Sequence, residues 1–102
     1  MNLQRRRTNE ISYLHREGTG VPLVLLHGIG SNAESFAPLI KALPPRLPVL
    51  AWDAPGYGES LPLTTDWPDT SDYASQLLHL LDTLRIERFA LAGHSLATPG
   101  VL

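Results

Sequence analysis

A serine that could act as a nucleophile lies near the end of the sequence, within Gly93-His94-Ser95-Leu96-Ala97. This pentapeptide follows an apolar run, and small residues two positions either side of the serine let a strand turn sharply into a helix. On such a turn the serine hydroxyl projects, and the next amide can point at a developing oxyanion. The pattern therefore predicts Ser95 as a nucleophile and the Leu96 N–H as an oxyanion donor.

A second segment could supply the other oxyanion donor. His27-Gly28-Ile29-Gly30 follows the apolar run Val24-Leu25-Leu26. Glycines let the chain leave a strand sharply and expose amide groups, and each pre-aimed donor is typically worth about 3 kcal/mol in the transition state. The Ile29 N–H is the candidate here, and a plain glycine-rich turn is the alternative.

A third segment, Asp53-Ala54-Pro55-Gly56-Tyr57-Gly58-Glu59-Ser60, predicts a loop of defined shape. Proline fixes one φ angle and the glycines permit positive ones. Asp53 and Ser60 can hydrogen-bond nearby amides and hold this loop. We interpret Asp53 as a turn-stabilising carboxylate rather than a catalytic acid, because no suitable histidine is present for it to orient.

The same residues also allow a dinucleotide-binding interpretation. Gly28-x-Gly30-x-x-Ala33 follows an apolar run, and Asp53 lies twenty positions after Ala33. In such a fingerprint the helix start holds a pyrophosphate and the acid holds a ribose. This interpretation gives no reason for His27, for the loop after Asp53 or for the Ser95 turn.

A serine hydroxyl needs a positioned base, and the sequence offers few candidates. None of the seven residues after Ser95 is His, Asp or Glu. His79 is expected on the exposed side of a helix, and the ring of His94 should project away from the Ser95 hydroxyl. His27, on the same rim as the serine, is the nearest candidate for a base.

Strand-like and helix-like segments alternate along the chain, which favours an α/β fold. A hairpin is predicted over 3–7 and 10–15, strands over 21–26, 48–52 and 88–92, helices around 36–43 and over 70–84, and a long loop over 54–69. We expect a parallel (mixed) sheet with helices on both faces. Since ligands bind outside the carboxyl ends of parallel strands, all three motifs should meet at one rim.

Composition excludes several classes of protein. The 102 residues suit one domain or part of one, and a formal charge of −2 leaves no basic footprint for nucleic acid. The chain has no cysteine, and its apolar stretches are too short to span a bilayer. Arg5-Arg6-Arg7 is followed by polar residues rather than the apolar region of an export signal. We expect a cytoplasmic protein with no cofactor and no nucleic-acid or membrane partner.

Taken in order, the three motifs resemble the N-terminal half of the α/β-hydrolase fold family. The likeness runs from the strand at 11–15 through Leu96, and is nearest to bacterial 3-oxoadipate enol-lactonases and small-ester hydrolases. The resemblance implies a small-molecule ester or lactone substrate, Ser95 as nucleophile, and the Ile29 and Leu96 amides as the oxyanion hole. It gives His27 a role in shaping the oxyanion loop. It also implies a catalytic acid, a catalytic histidine and a lid located beyond residue 102.

The resemblance to the family pattern ends after Leu96. Ala97 stands where the family usually has glycine, and Pro99 and Gly100 fall where a helix should grow. We therefore expect residues 1–102 to be the N-terminal part of a single α/β-hydrolase domain, truncated after the nucleophile turn. Such a chain should self-associate through an exposed sheet edge. A non-catalytic remnant or interaction module stays open as an alternative, as does the dinucleotide-binding domain.

Overall fold

The computed structural model describes residues 3–8, 10–28, 31–63 and 70–93. Within these ranges, the chain forms five strands, a short 3-10 helix and two α-helices. The strands are β1 (Gln4–Thr8), β2 (Ile11–Arg16), β3 (Leu23–Leu26), β4 (Val49–Trp52) and β5 (Ala90–Gly93). The 3-10 helix Ala33–Phe36 runs into α1 (Ala37–Ala42), and α2 spans Thr70–Thr83.

The strands form one mixed sheet in the order β1-β2-β4-β3-β5. Strand β3 is parallel to both β4 and β5, whereas β2 is antiparallel to β1 and to β4. A parallel neighbour can be reached only by a crossover, and here α1 lies between β3 and β4 in the chain and α2 between β4 and β5. The predicted mixed α/β sheet is thus confirmed.

The two helical segments cover opposite faces of the sheet. On one face Leu77, Leu80 and Leu81 of α2 pack against residues such as Ile11 and Tyr13 of β2. On the other face the 3-10 helix and α1 pack against Leu14 of the same strand. Alternate residues of a strand point to opposite faces, so β2 contributes to both cores, as its sequence predicts.

Several element boundaries differ from the sequence predictions. The strand predicted from Val21 begins at Leu23, and Val21 is half exposed. The first helix begins as a 3-10 turn at Ala33 and ends at Ala42, because Leu43 precedes a proline and is extended, with φ −79° and ψ 157°. The last strand is shifted toward its carboxyl end and includes Gly93. These shifts change neither the order of the elements along the chain nor the placement of helices on both faces of the sheet.

Sequence analysis did not predict the role of Arg16, which lies buried at the end of β2. Its guanidinium donates to the carbonyl oxygens of Ile40 (2.8 Å), Pro44 (2.7 Å) and Leu47 (2.8 Å). Carbonyls at the carboxyl end of a helix lack partners within the helix, and the helix dipole places negative charge there. Arg16 therefore fastens the end of α1 and the loop after it to the sheet.

Candidate active site

The carboxyl ends of the parallel strands form a rim on which the described parts of all three motifs converge. Leu26, the last residue of β3, pairs with Gly93, the last residue of β5. His27 leaves β3 and Asp53 leaves β4 at the same edge. The predicted nucleophile Ser95 and the predicted oxyanion donors Ile29 and Leu96 lie outside the described residues.

His27 links the ends of β3 and β4. The Ala54 N–H donates to Nε2 of its ring at 2.9 Å, so Nε2 carries no proton in this arrangement. Nδ1 then carries the proton and donates it to the Gly28 carbonyl oxygen at 2.9 Å. The ring is only 4% exposed and packs against the ring of Tyr57, with centroids 5.2 Å apart. With both nitrogens engaged, His27 shapes the rim and is not free to act as a general base.

Asp53 stabilises the turns on either side of it, as its loop context predicts. Its carboxylate is fully buried. Oδ1 accepts the Ala33 N–H at 2.8 Å, and Oδ2 accepts the Glu59 N–H at 3.0 Å together with Nη1 of Arg5 at 2.8 Å. A ribose-binding acid must reach a ligand, and this carboxylate faces only protein. The dinucleotide interpretation therefore loses the residue on which it depended.

Ser60 and Gly58 complete the loop that follows Asp53. The Ser60 hydroxyl accepts the Ser12 N–H at 2.9 Å and donates to the Asp53 carbonyl oxygen, which ties the loop to β2. Gly58 has φ +50°, and a Cβ atom there would fall on the Asp53 carboxylate. Both features hold the loop closed over Asp53, so the predicted role of Ser60 is confirmed.

Arg5, the first of the three consecutive arginines, places a cation at this rim. Its guanidinium donates to the Ser12 hydroxyl at 2.7 Å and to Asp53, and it pairs with Glu34 and Glu59. Burial alone would lower the pKa of Arg5, but the hydrogen bond to Glu34 and the charges of Asp53 and Glu59 outweigh it and raise that pKa.

The register of the β1–β2 hairpin indicates which arginines can face Asp53. Arg5 lies opposite Leu14, whose side chain faces the α1 side of the sheet. Alternation then directs Arg5 to the face on which the Asp53 carboxylate lies, and Arg6 to the other. A buried carboxylate requires a cation, so the register together with Asp53 selects Arg5 or Arg7 and excludes Arg6.

The described residues form no metal site. Three carboxylates surround Arg5, and its guanidinium occupies the position between them. Across the described ranges, no three His, Asp or Glu side chains are grouped so that they could hold a metal ion. Within the same ranges, none of the helices has the length and apolar character needed to cross a membrane.

Comparison with known proteins identifies the family of this fold. Residues 23–101 match the sequence profile of the Alpha/beta hydrolase family. That match includes most of the chain and contains all three motifs described above. The chain belongs to the alpha/beta hydrolase family.

Individual relatives are named as hydrolases and esterases. The chain is 33% identical over 90 residues to (E)-2-((N-methylformamido)methylene)succinate hydrolase of Acinetobacter baylyi, which covers 88% of this chain and 34% of that protein. It is 37% identical over 84 residues to a pimeloyl-[acyl-carrier protein] methyl ester esterase of Legionella pneumophila, covering 82% and 31%. The chain thus spans about a third of the length of the curated relatives it matches.

Solved structures give the same result at the level of the fold. A crystal structure of E-2-(acetamidomethylene)succinate hydrolase superposes with a TM-score of 0.84 at 30% identity, covering 97% of this chain and 38% of that one. Epoxide hydrolase A of Mycobacterium thermoresistibile superposes with a TM-score of 0.77 at 29% identity, covering 91% and 31%. Proteins that are named for different hydrolytic reactions therefore share this fold.

Proposed function

We propose that this chain provides the nucleophile and the oxyanion hole of a serine hydrolase that cleaves a small carboxylic ester or lactone. In this proposal the Ser95 hydroxyl attacks the carbonyl carbon, and the Ile29 and Leu96 N–H groups stabilise the oxyanion that forms. A histidine base outside these 102 residues would take the serine proton and give it to the leaving alkoxide as the ester C–O bond breaks, and an acidic residue would orient that base. Water would then release the acyl group from the serine. We assign the activity to the cytoplasm.

The single observation that carries the proposal is the pairing of Leu26 with Gly93. Because β3 and β5 end side by side, the segments that contain Ile29 and Ser95 leave the sheet from adjacent points. Ile29 is three residues beyond its strand and Ser95 two residues beyond its own. The hydrogen bonds of His27 and Asp53 support the proposal further, since they fix the chain before and after the segment that contains Ile29.

The choice of an ester or lactone over an epoxide rests on residue 95. An aspartate nucleophile, as expected of epoxide hydrolases and dehalogenases, is absent from this position because residue 95 is serine. The names of the relatives in Acinetobacter and Legionella agree with acyl chemistry. The fold itself does not discriminate, because an epoxide hydrolase superposes on it as well.

The test is hydrolysis of p-nitrophenyl acetate by the protein expressed from its own gene, wild type against Ser95→Ala. We expect the variant to lose at least about 1000-fold in kcat/KM, because the nucleophile is removed while the oxyanion donors stay. Ser75→Ala, at an exposed position of α2, is the matched control and should keep the wild-type rate.

Two outcomes would contradict the proposal. Equal rates for wild type and Ser95→Ala would exclude the serine as nucleophile. No turnover by a well-folded monomer would instead support a non-catalytic interaction module that retains the fold.

A further inference from the structure

We propose that Arg5 is a positioning residue for the oxyanion turn, acting through Asp53; this rests on the function proposed above. Arg5 lies on an edge strand and is distant in sequence from every motif. The network of bonds nevertheless runs from its guanidinium, through the buried Asp53 carboxylate, to the Ala33 amide shortly after the His27 motif and to the Glu59 amide within the Asp53 motif.

The first step is the contact between Arg5 and Asp53. Nη1 of Arg5 donates to Oδ2 of Asp53 at 2.8 Å, and the same nitrogen donates to the Ser12 hydroxyl at 2.7 Å. The Arg5 side chain is 23% exposed and the Asp53 side chain is fully buried. A buried carboxylate without a cation partner is strongly unfavourable. Arg5 therefore supplies the cation for the Asp53 carboxylate and holds that carboxylate in place.

The second step runs from Asp53 to the backbone. Oδ1 accepts the Ala33 N–H, and Ala33 begins the 3-10 helix only four residues after Ile29. Oδ2 accepts the Glu59 N–H and so fixes the loop of the third motif. A hydrogen bond to a carboxylate is roughly twice as strong as one between neutral groups, so both contacts depend on the position of the Asp53 carboxylate. When Arg5 is removed, the carboxylate loses its cation partner and the first residue of the 3-10 helix is held less firmly.

The third step compares the contacts of Arg5 with those of the two neighbouring arginines. Arg6 pairs with Glu17, which is exposed, at 3.6 Å and donates to Oε1 of Gln4 at 3.0 Å. Arg7 donates to the Glu59 carbonyl oxygen at 3.0 Å and has no carboxylate partner among the described residues. Glu34 and Glu59 are themselves more than half exposed, so their pairs with Arg5 contribute less than the bond to Asp53. Arg6 is the matched control for removing one arginine from the same strand.

The experiment combines amide-resolved hydrogen exchange with steady-state kinetics on wild type, Arg5→Gln, Arg5→Lys and Arg6→Gln. For Arg5→Gln we expect the Ala33 and Glu59 amides to exchange about 10-fold faster, since each donates to a carboxylate that has lost its cation partner. The Leu50 amide, in the buried β4 strand, reports global stability and should change much less. Arg5→Lys should restore part of the protection, and Arg6→Gln should match wild type.

The kinetic result expected for Arg5→Gln is a fall of about 10-fold in kcat with KM within about 2-fold, because an oxyanion donor acts in the transition state. Exchange that rises equally at Leu50, or no more than in Arg6→Gln, would overturn the positioning role. So would an unchanged kcat in an enzyme that Ser95→Ala inactivates. If Ser95→Ala keeps full activity, the proposed function fails, while the exchange data still decide whether Arg5 orders these amides.

Discussion

At the residue scale, the described part of the chain buries two charged side chains, Arg16 and Asp53, and surrounds each with different hydrogen-bond partners. The Arg16 guanidinium is surrounded by carbonyl oxygens at the end of α1. The Asp53 carboxylate accepts two backbone amides and one nitrogen of Arg5. Both groups are satisfied mainly by backbone, so they order loops rather than add to the apolar core.

His15 predicts how stability depends on pH. Burial, and then the charge of Arg6, lower the pKa of His15 below 6.5, with a partial offset from Glu17. Its Nδ1 is buried and has no hydrogen-bond partner in the part of the chain that the structure describes, and its ring lies edge-on to Tyr13. A histidine with a lowered folded-state pKa stabilises the fold above its unfolded pKa, and this stability is lost as the pH falls through the folded-state value.

We therefore expect the free energy of unfolding to decrease as the pH drops below about 6.5, and His15→Gln to remove part of that decrease. Urea unfolding at a series of pH values measures it. His79→Gln, at an exposed position of α2, is the control and should keep the wild-type slope. An unchanged slope in His15→Gln would contradict the assignment.

At the scale of elements, α2 owes its position to one apolar stripe. Leu77 is fully buried against the sheet, whereas its neighbour Leu78 is 56% exposed. Leu77→Ala should lower the free energy of unfolding by about 3 kcal/mol, because it leaves a cavity between helix and sheet. Leu78→Ala should change it by less than about 0.5 kcal/mol. Chemical denaturation of both variants tests this, and equal losses would mean that α2 does not pack as described.

The elements were predictable where periodicity was strong. The stripe of α2 and the alternation in β2 follow from residue spacing alone, and the proline after Leu43 marks the end of α1. The 3-10 turn at Ala33 was not predictable, since it depends on the hydrogen bond from its amide to Asp53, a contact between distant segments. The role of Arg5 was missed for the same reason, because it requires the register of the hairpin.

The candidate site was predictable in outline. The sequence placed His27 and Asp53 at strand ends, and the structure confirms that they share a rim. The sequence left open whether His27 could act as a base. The hydrogen bonds of its two ring nitrogens decide against that role. Ser95, Ile29 and Leu96 stay predictions, because they lie outside the described residues.

At the scale of the whole molecule, β5 pairs with β3 and with no other described strand. Ala90 and Ala92 on it are exposed. Open strand edges favour pairing with other chains, so we expect self-association that increases with concentration. Ala92→Lys should reduce it, since charge on an edge opposes strand pairing, and Ser75→Lys on α2 should not. Sedimentation velocity over a 10-fold range of protein concentration measures both variants. A monomer throughout would contradict the expectation.

The contacts of Arg16 also limit how this fold can be recombined. Its guanidinium belongs to a strand, while the three carbonyl oxygens that it serves belong to the helix and loop at 40–47. A chimera that borrows this helix from a related hydrolase but keeps a different second strand would remove the Arg16 hydrogen bonds to those oxygens. Strand and helix must therefore be transplanted together.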